Sequence, residues 1–205
     1  MSSLPKDLKA ALNDMQIAVT SSLKSKGIRF TIEFKFEGLK LSKVWTKLYD
    51  SLPQERNIIV SFSDPGSVAL AKRDYPNLSE KFYTFKSLTH SDLILDNDLI
   101  LISLSPQPFD FDTFEPLCTN FNGTHYSINP KFEHPNIGIG SVIRERRKSF
   151  IKTWQNVYYL QPLNKGALMH ISPNNWCLFK ERENKYIFVE DFVNKPDNET
   201  IFVNL

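Results

Sequence analysis

Two hydrophobic rhythms divide the chain, and the change from one to the other near residue 155 is its main organising feature. Residues 3–27 open with helical spacing, because Leu8, Leu12, Met15, Val19 and Leu23 recur on one face. Ser3 suits an N-cap, Pro5 a first turn and Gly27 a stop. Ile28, Phe30, Ile32, Phe34 and Phe36 then alternate with polar positions, which predicts a strand over 28–36 with one apolar face. Helical spacing returns at 42–52 through Val44, Leu48 and Leu52. A short apolar strand is expected at 57–63, followed by a helix marked by Val68, Ala71 and Tyr75. Residues 98–105 read as a buried strand, 112–122 as a helix, 125–130 as a fourth strand and 141–154 as a further helix.

This repetition predicts an α/β fold with a mostly parallel, Rossmann-like central sheet and helices on both faces. Beyond it, short strands are expected at 156–163, 166–173, 176–181 and 185–192. Asn164, Lys165 and Gly166, and then Asn174 and Asn175, supply turns between them. That pattern is an antiparallel meander extending or flanking the sheet. With no repeat and no low-complexity linker, a single domain is expected over 1–205: an α/β part at 1–154, the meander at 155–195 and a tail at 196–205. The tail is expected to fray from Lys195 onward.

Composition narrows the functional classes. Of 205 residues, 41% are hydrophobic and 16 are Phe, enough for a sizeable core. A net charge of +2 is too balanced to point to nucleic acid. Cys118 and Cys177 form neither a disulfide framework nor a metal-ligand spacing, so a reducing, cytoplasmic setting is expected and no metal. No apolar run reaches the length of a membrane span, and the first 27 residues lack the core of a signal peptide. The first helix lying on a membrane surface is the minor alternative to its packing on the core.

Enzyme signatures are missing. There is no nucleophile elbow and no phosphate-binding loop with its lysine. Gly138 and Gly140 give half a dinucleotide fingerprint, with Ile143 where a third glycine belongs. The histidines at 90, 125, 134 and 170 have no metal-binding spacing. No cofactor is expected. Polar residues do gather where strands end, the place at which open α/β sheets bind ligands: Ser63, Asp64, Gly66, Ser67, Ser105 and Asn129. The bland reading is that polar residues simply terminate strands. Asp64 followed by Pro65 is a strong helix start, and its carboxylate opposes an incoming phosphate at that helix end.

Any anion is better sought on the helix at 141–154. On a wheel advancing about 100° per residue, Phe150, Trp154 and Arg147 fall within about 40° of Ile143, and Arg146 about 60° to one side. Arg146 and Arg147 are therefore the preferred charged candidates, to pair a carboxylate or hold an anion. Arginine stems snorkelling out of the core are the bland alternative.

An ordered set of short motifs carries a resemblance. These are Pro5 before an Ala-rich helix, Glu33 on the first strand, FSDPGSVALAKRD (62–74), NP (129–130), RERRKSF (144–150), YYLQPL (158–163), GAL (166–168) and PNNW (173–176). In this order the chain resembles a cyanobacterial and plastid domain-of-unknown-function family that includes the low-photosystem-II-accumulation type assembly proteins. A similar domain is fused to a plastid adenylate kinase. The resemblance implies a non-catalytic interaction module that assists assembly or maintenance of the photosynthetic apparatus, and it transfers no catalytic residue. The implied partner is a photosystem or thylakoid assembly component, with peripheral contact at the thylakoid as an accessory expectation. The alternative is a domain binding a nucleotide or other small phosphorylated anion at the carboxyl edge of the sheet.

Overall fold

Why the first helix starts where it does is a matter of one carboxylate. In the structure, a computed structural model that describes residues 3–24, 28–132, 141–183 and 185–205, Asp7 accepts from the Ala10 amide at 2.8 Å and caps α1 (Leu8–Ser22). The cap is thus Asp7 rather than Ser3, and Pro5 precedes the helix instead of opening it. The buried face is Ala11, Met15, Ala18, Val19 and Ser22, rotated from the leucine stripe because small side chains let the helix sit close. Gly27 lies outside the described residues.

In chain order there follow β1 (Arg29–Phe34), α2 (Leu41–Ser51), β2 (Ile58–Phe62) and α3 (Pro65–Asp74). Next come β3 (Phe82–Thr84), α4 (Phe85–Thr89), β4 (Ile100–Leu104), α5 (Phe111–Asn120), β5 (Thr124–Ile128) and α6 (Ser141–Ile151). The last elements are β6 (Gln155–Leu163), β7 (Gly166–Ile171), β8 (Trp176–Arg182), β9 (Lys185–Phe192) and α7 (Asn198–Asn204). The fold is α/β: a mostly parallel sheet in the order β3-β2-β4-β5-β1, with the antiparallel meander β6 to β9 and the helices. Sequence periodicity missed β3 and α4, which are too short to show a period. The tail from Lys195 is not frayed throughout, since Asp197 accepts from the Thr200 amide at 2.8 Å and starts α7.

Contacts within the chain group it into two compact units. One comprises Lys26–Thr31 and Pro53–Gln155. Its parallel strands are in register so that Phe82, Val60, Ile102 and Tyr126 lie side by side. One step on, Ser61, Ser103 and Ser127 form a row of serines, all buried. Much of the phenylalanine is spent beside this sheet. Phe114 of α5 lies 5.0 Å from Phe85, 5.4 Å from Phe132 and 6.0 Å from Trp154 between ring centres, the edge and stacked geometries that aromatic cores favour.

The other unit comprises Met1–Ser25, Ile32–Leu52 and Asn156–Leu205. Val44, Trp45 and Leu48 give α2 its buried face, in line with its spacing. In the meander, Leu160 pairs with Met169 and Leu168 with Leu178. Tyr159, Leu168, Trp176 and Leu178 form a small core against which Ile201 and Leu205 of the tail pack, and that apolar contact is what holds α7. The β6–β7 turn needs Lys165 in the left-handed region, φ 67°. Gly166 follows it because a side chain there would meet the Phe179 carbonyl oxygen at 2.3 Å.

Candidate functional site

Strand order creates one crevice in the parallel sheet. From β2 the chain leaves toward β3 on one side, and from β4 it leaves toward β5 on the other. Adjacent strands whose connections part in this way open a gap at their carboxyl ends, the usual ligand position in open α/β sheets. Ser63 follows β2 and Ser105 follows β4, so two of the sequence candidates stand at this switch point.

The crevice is filled by the protein's own hydrogen bonds. Ser63 Oγ donates to Asp110 Oδ1 at 2.6 Å, and the Gln107 amide donates to Asp110 Oδ2 at 2.7 Å. Gln107 Nε2 in turn donates to the Ser105 carbonyl at 2.7 Å and lies 3.0 Å from its hydroxyl. Asp110 is buried and satisfied from both oxygens, and it caps the turn over Pro108–Asp110. Ser105 and Asn129 both adopt left-handed backbone, φ 46° and 49°, at the ends of neighbouring strands. Such conformations are costly outside glycine, and the Gln107 side chain holds the first of them. Asp110 and Gln107 were not among the sequence candidates. Their signal was the three-residue spacing of a capping box just after a strand.

Asp64, Gly66 and Ser67 do something else. Asp64 accepts from the Ser67 amide at 2.9 Å and from its hydroxyl at 2.7 Å, as the N-cap of α3. These bonds hold the Asp64 carboxyl below its ordinary pKa. The group is a helix start with a carboxylate already occupying the positive end of the dipole.

Arg146 and Arg147 part company. Arg146 pairs with Glu115 and, at 3.6 Å, with Asp112, both on α5. Arg147 donates to the Pro108 carbonyl at 3.1 Å, and its guanidinium sits 4.9 Å from the Phe111 ring centre. Arg146 covers the same ring at 5.4 Å. The wheel correctly turned Arg147 inward, yet only the fold supplies Pro108 and Phe111. Both arginines are thereby committed to α5 and the loop before it. Gly138, Gly140 and His134 lie outside the described residues.

Beneath the crevice a polar thread crosses the sheet. Ser61 Oγ lies 3.0 Å from Ser103 Oγ, Ser103 Oγ 2.6 Å from His125 Nε2, and His125 Nδ1 3.6 Å from Cys118 Sγ. His125 is fully buried, and burial, helped by the Arg29 guanidinium, lowers its pKa to about 3. A neutral imidazole with one donor and one acceptor nitrogen matches the two partners it has. Burial pushes the Cys118 thiol well up, so it is a core thiol rather than a nucleophile. Ser127 Oγ, also buried, has no hydrogen-bond partner among the described residues. The thread resembles a catalytic constellation only in composition, because no member reaches solvent.

In the unit containing the meander, the outer strand is unusual. β9 is the end strand of the order, and Tyr186, Ile187, Phe188 and Val189 are between 37% and 50% exposed. Such a run on an edge offers both apolar side chains and unpaired backbone groups. Its ends carry Lys185, Glu190 and Asp191. The sequence showed this strand, but not that its apolar residues would stay exposed.

Among the described residues, no group of three or more His, Cys, Asp or Glu is placed to hold a metal ion. No helix among them is long and apolar enough to cross a membrane. No curated protein matches the chain. The family model of a domain of unknown function, DUF1995, matches residues 5–202, nearly the whole chain, and the protein belongs to that family.

Proposed function

We propose that this chain is a non-catalytic interaction module that takes an extended segment of a protein partner along β9, in the assembly or maintenance of the photosynthetic apparatus. The exposed apolar edge strand is the observation that carries the reading. An edge strand recognises an extended peptide by main-chain hydrogen bonds, and its side chains add selectivity. The polar residues that an enzyme would turn toward substrate are instead spent on one another, as with Ser63, Gln107 and Asp110. The photosynthetic setting and a photosystem or thylakoid component as partner come from the resemblance to assembly proteins of the low-photosystem-II-accumulation type. Affinity capture from a photosynthetic cell lysate tests it, with wild type beside Tyr186→Lys/Ile187→Lys. Recovery of a photosystem or thylakoid assembly component by wild type alone supports the module. Equal recovery by both proteins, or recovery of no such component, refutes it.

A second reading keeps the switch-point crevice as a site for a small phosphorylated ligand; its support is that Ser63 and Ser105 follow the two strands flanking the switch point and that Asp110 bonds to Ser63. A ligand would have to displace the Asp110 bonds. A thermal-shift panel of nucleotides and sugar phosphates decides it, since binding to the native state raises the midpoint by mass action. A flat panel removes this reading.

A further inference from the structure

A groove of about 530 Å³ opens between the start of α1, the loop from β1 to α2, and β6. Its floor is apolar, formed by Leu8, Ala11, Phe36 and Leu160. Three lysines stand on its rim, Lys6 ahead of α1 and Lys40 and Lys43 at the start of α2. All three are exposed, and none makes an ion pair among the described residues. Two carboxylates share the rim, Asp7, which caps α1, and Glu37, so positive charge exceeds negative by three side chains to two. Lys40 stands at the N-cap of α2 without a side-chain cap, and no acidic residue lies in the first turn, so the positive end of α2 adds to the lysines. Gly38, at φ 71°, turns the loop so that open space lies above it.

We infer that this groove binds a small anionic amphiphile, a molecule with a carboxylate or phosphate head on an aliphatic body. The head meets Lys6, Lys40 and Lys43, and the body lies on the apolar floor. The volume falls within the roughly 300–1,000 Å³ of small-molecule sites, which are also mainly apolar with a few orienting polar groups. An extended peptide fits less well. The Lys35 amide already donates to the Leu160 carbonyl at 2.9 Å, so the backbone at the floor is spent, whereas an aliphatic chain requires no hydrogen bond. This site rests on its own residues and not on β9.

Sodium laurate and dodecyl phosphate, each below its micellar concentration, are suitable probes, with dodecyl maltoside as the uncharged comparison. Calorimetry and amide chemical shifts read binding and its place. Wild type should bind both anionic probes saturably, with shifts at Leu8, Gly38 and Lys43, and more weakly as salt rises. Lys40→Glu/Lys43→Glu should lower affinity by about tenfold or more through charge reversal beside the head group, with the thermal midpoint held. Lys6→Glu, ahead of α1, provides the same reading if the double variant does not fold. Absence of saturable binding by either anion, equal binding of dodecyl maltoside, or affinity unchanged in the variants overturns the proposal.

Discussion

His125 should make this protein lose stability in mild acid, in a pH window set by its burial. Its ring has no exposed surface and sits among Phe114, Phe121 and Trp154, at 5.5, 5.7 and 4.9 Å between ring centres. Burial is the larger cause of its lowered pKa, about 3 against an ordinary 6.5, and Arg29 is the smaller. Arg29 is fixed nearby by donating to the Cys118 carbonyl at 2.7 Å and to Thr153 Oγ1 at 2.9 Å. At pH 7 the ring is neutral in the folded chain and mostly neutral in the unfolded one, so it contributes little pH dependence. As pH falls below 6.5 the unfolded chain takes up a proton that the folded chain refuses until about 3. Stability is therefore lost on acidification across that window. At 1.36 kcal/mol per pH unit the full loss is about 5 kcal/mol, of which about 2.5 kcal/mol falls between pH 7 and 4.5.

Urea unfolding at steps from pH 7 to 4.5, for wild type and His125→Gln, isolates this term. Glutamine keeps a donor for Ser103 but does not titrate. Its absolute stability will differ, so the slope is the readout. The wild-type curve should fall more steeply, by up to about 1.36 kcal/mol per pH unit. His170, whose pKa is lowered by burial, titrates in both proteins and cancels in the difference. Parallel slopes in the two proteins would show that the folded state protonates His125, and would refute its placement in a closed core.

Three substitutions test the other assignments. Asp110→Ala should cost about 2 kcal/mol in urea unfolding, because the Ser63 hydroxyl and Gln107 amide lose their buried acceptor; a gain in stability would mark Asp110 as a carboxylate held for a ligand. Asp64→Ala should cost about 1 kcal/mol by loss of the α3 cap, and an unchanged thermal midpoint would contradict that role. Tyr158→Phe should stabilise the protein by about 1 kcal/mol, since the buried Tyr158 hydroxyl has no hydrogen-bond partner among the described residues. A loss of stability there would mean the hydroxyl is satisfied in solution.

Glu33 shows where reading along the chain stops. Alternation in 28–36 predicts one apolar face and leaves Glu33 on a polar one, yet β1 is buried on both from Phe30 to Phe34. What makes that tolerable is Lys35, paired with Glu33 at 2.6 Å, and Asn156, which donates to it at 3.2 Å from 123 residues away. The switch-point crevice divides in the same way. The box from Gln107 to Asp110 is a local three-residue spacing, but reading along the chain did not single it out. The Ser63 bond to Asp110 spans 47 residues, and no periodicity encodes it. Arg147 was turned inward by helical spacing alone, but its acceptor on Pro108 came from another part of the chain.

By itself the sequence determined the local choices: helix starts at Asp64-Pro65, strand and helix periods, the turn at Lys165-Gly166, and the switch from parallel α/β rhythm to antiparallel meander. These depend on neighbours three or four residues apart, so a linear pattern carries them. The tertiary structure alone decided which polar groups are spent on each other and which surfaces stay bare. It placed Ser61, Ser103, His125 and Cys118 in one buried thread, filled the crevice with Asp110, and left the apolar residues of β9 exposed at the end of the sheet. Burial and pairing are properties of what packs opposite, and the residues opposite lie tens of positions away in the chain.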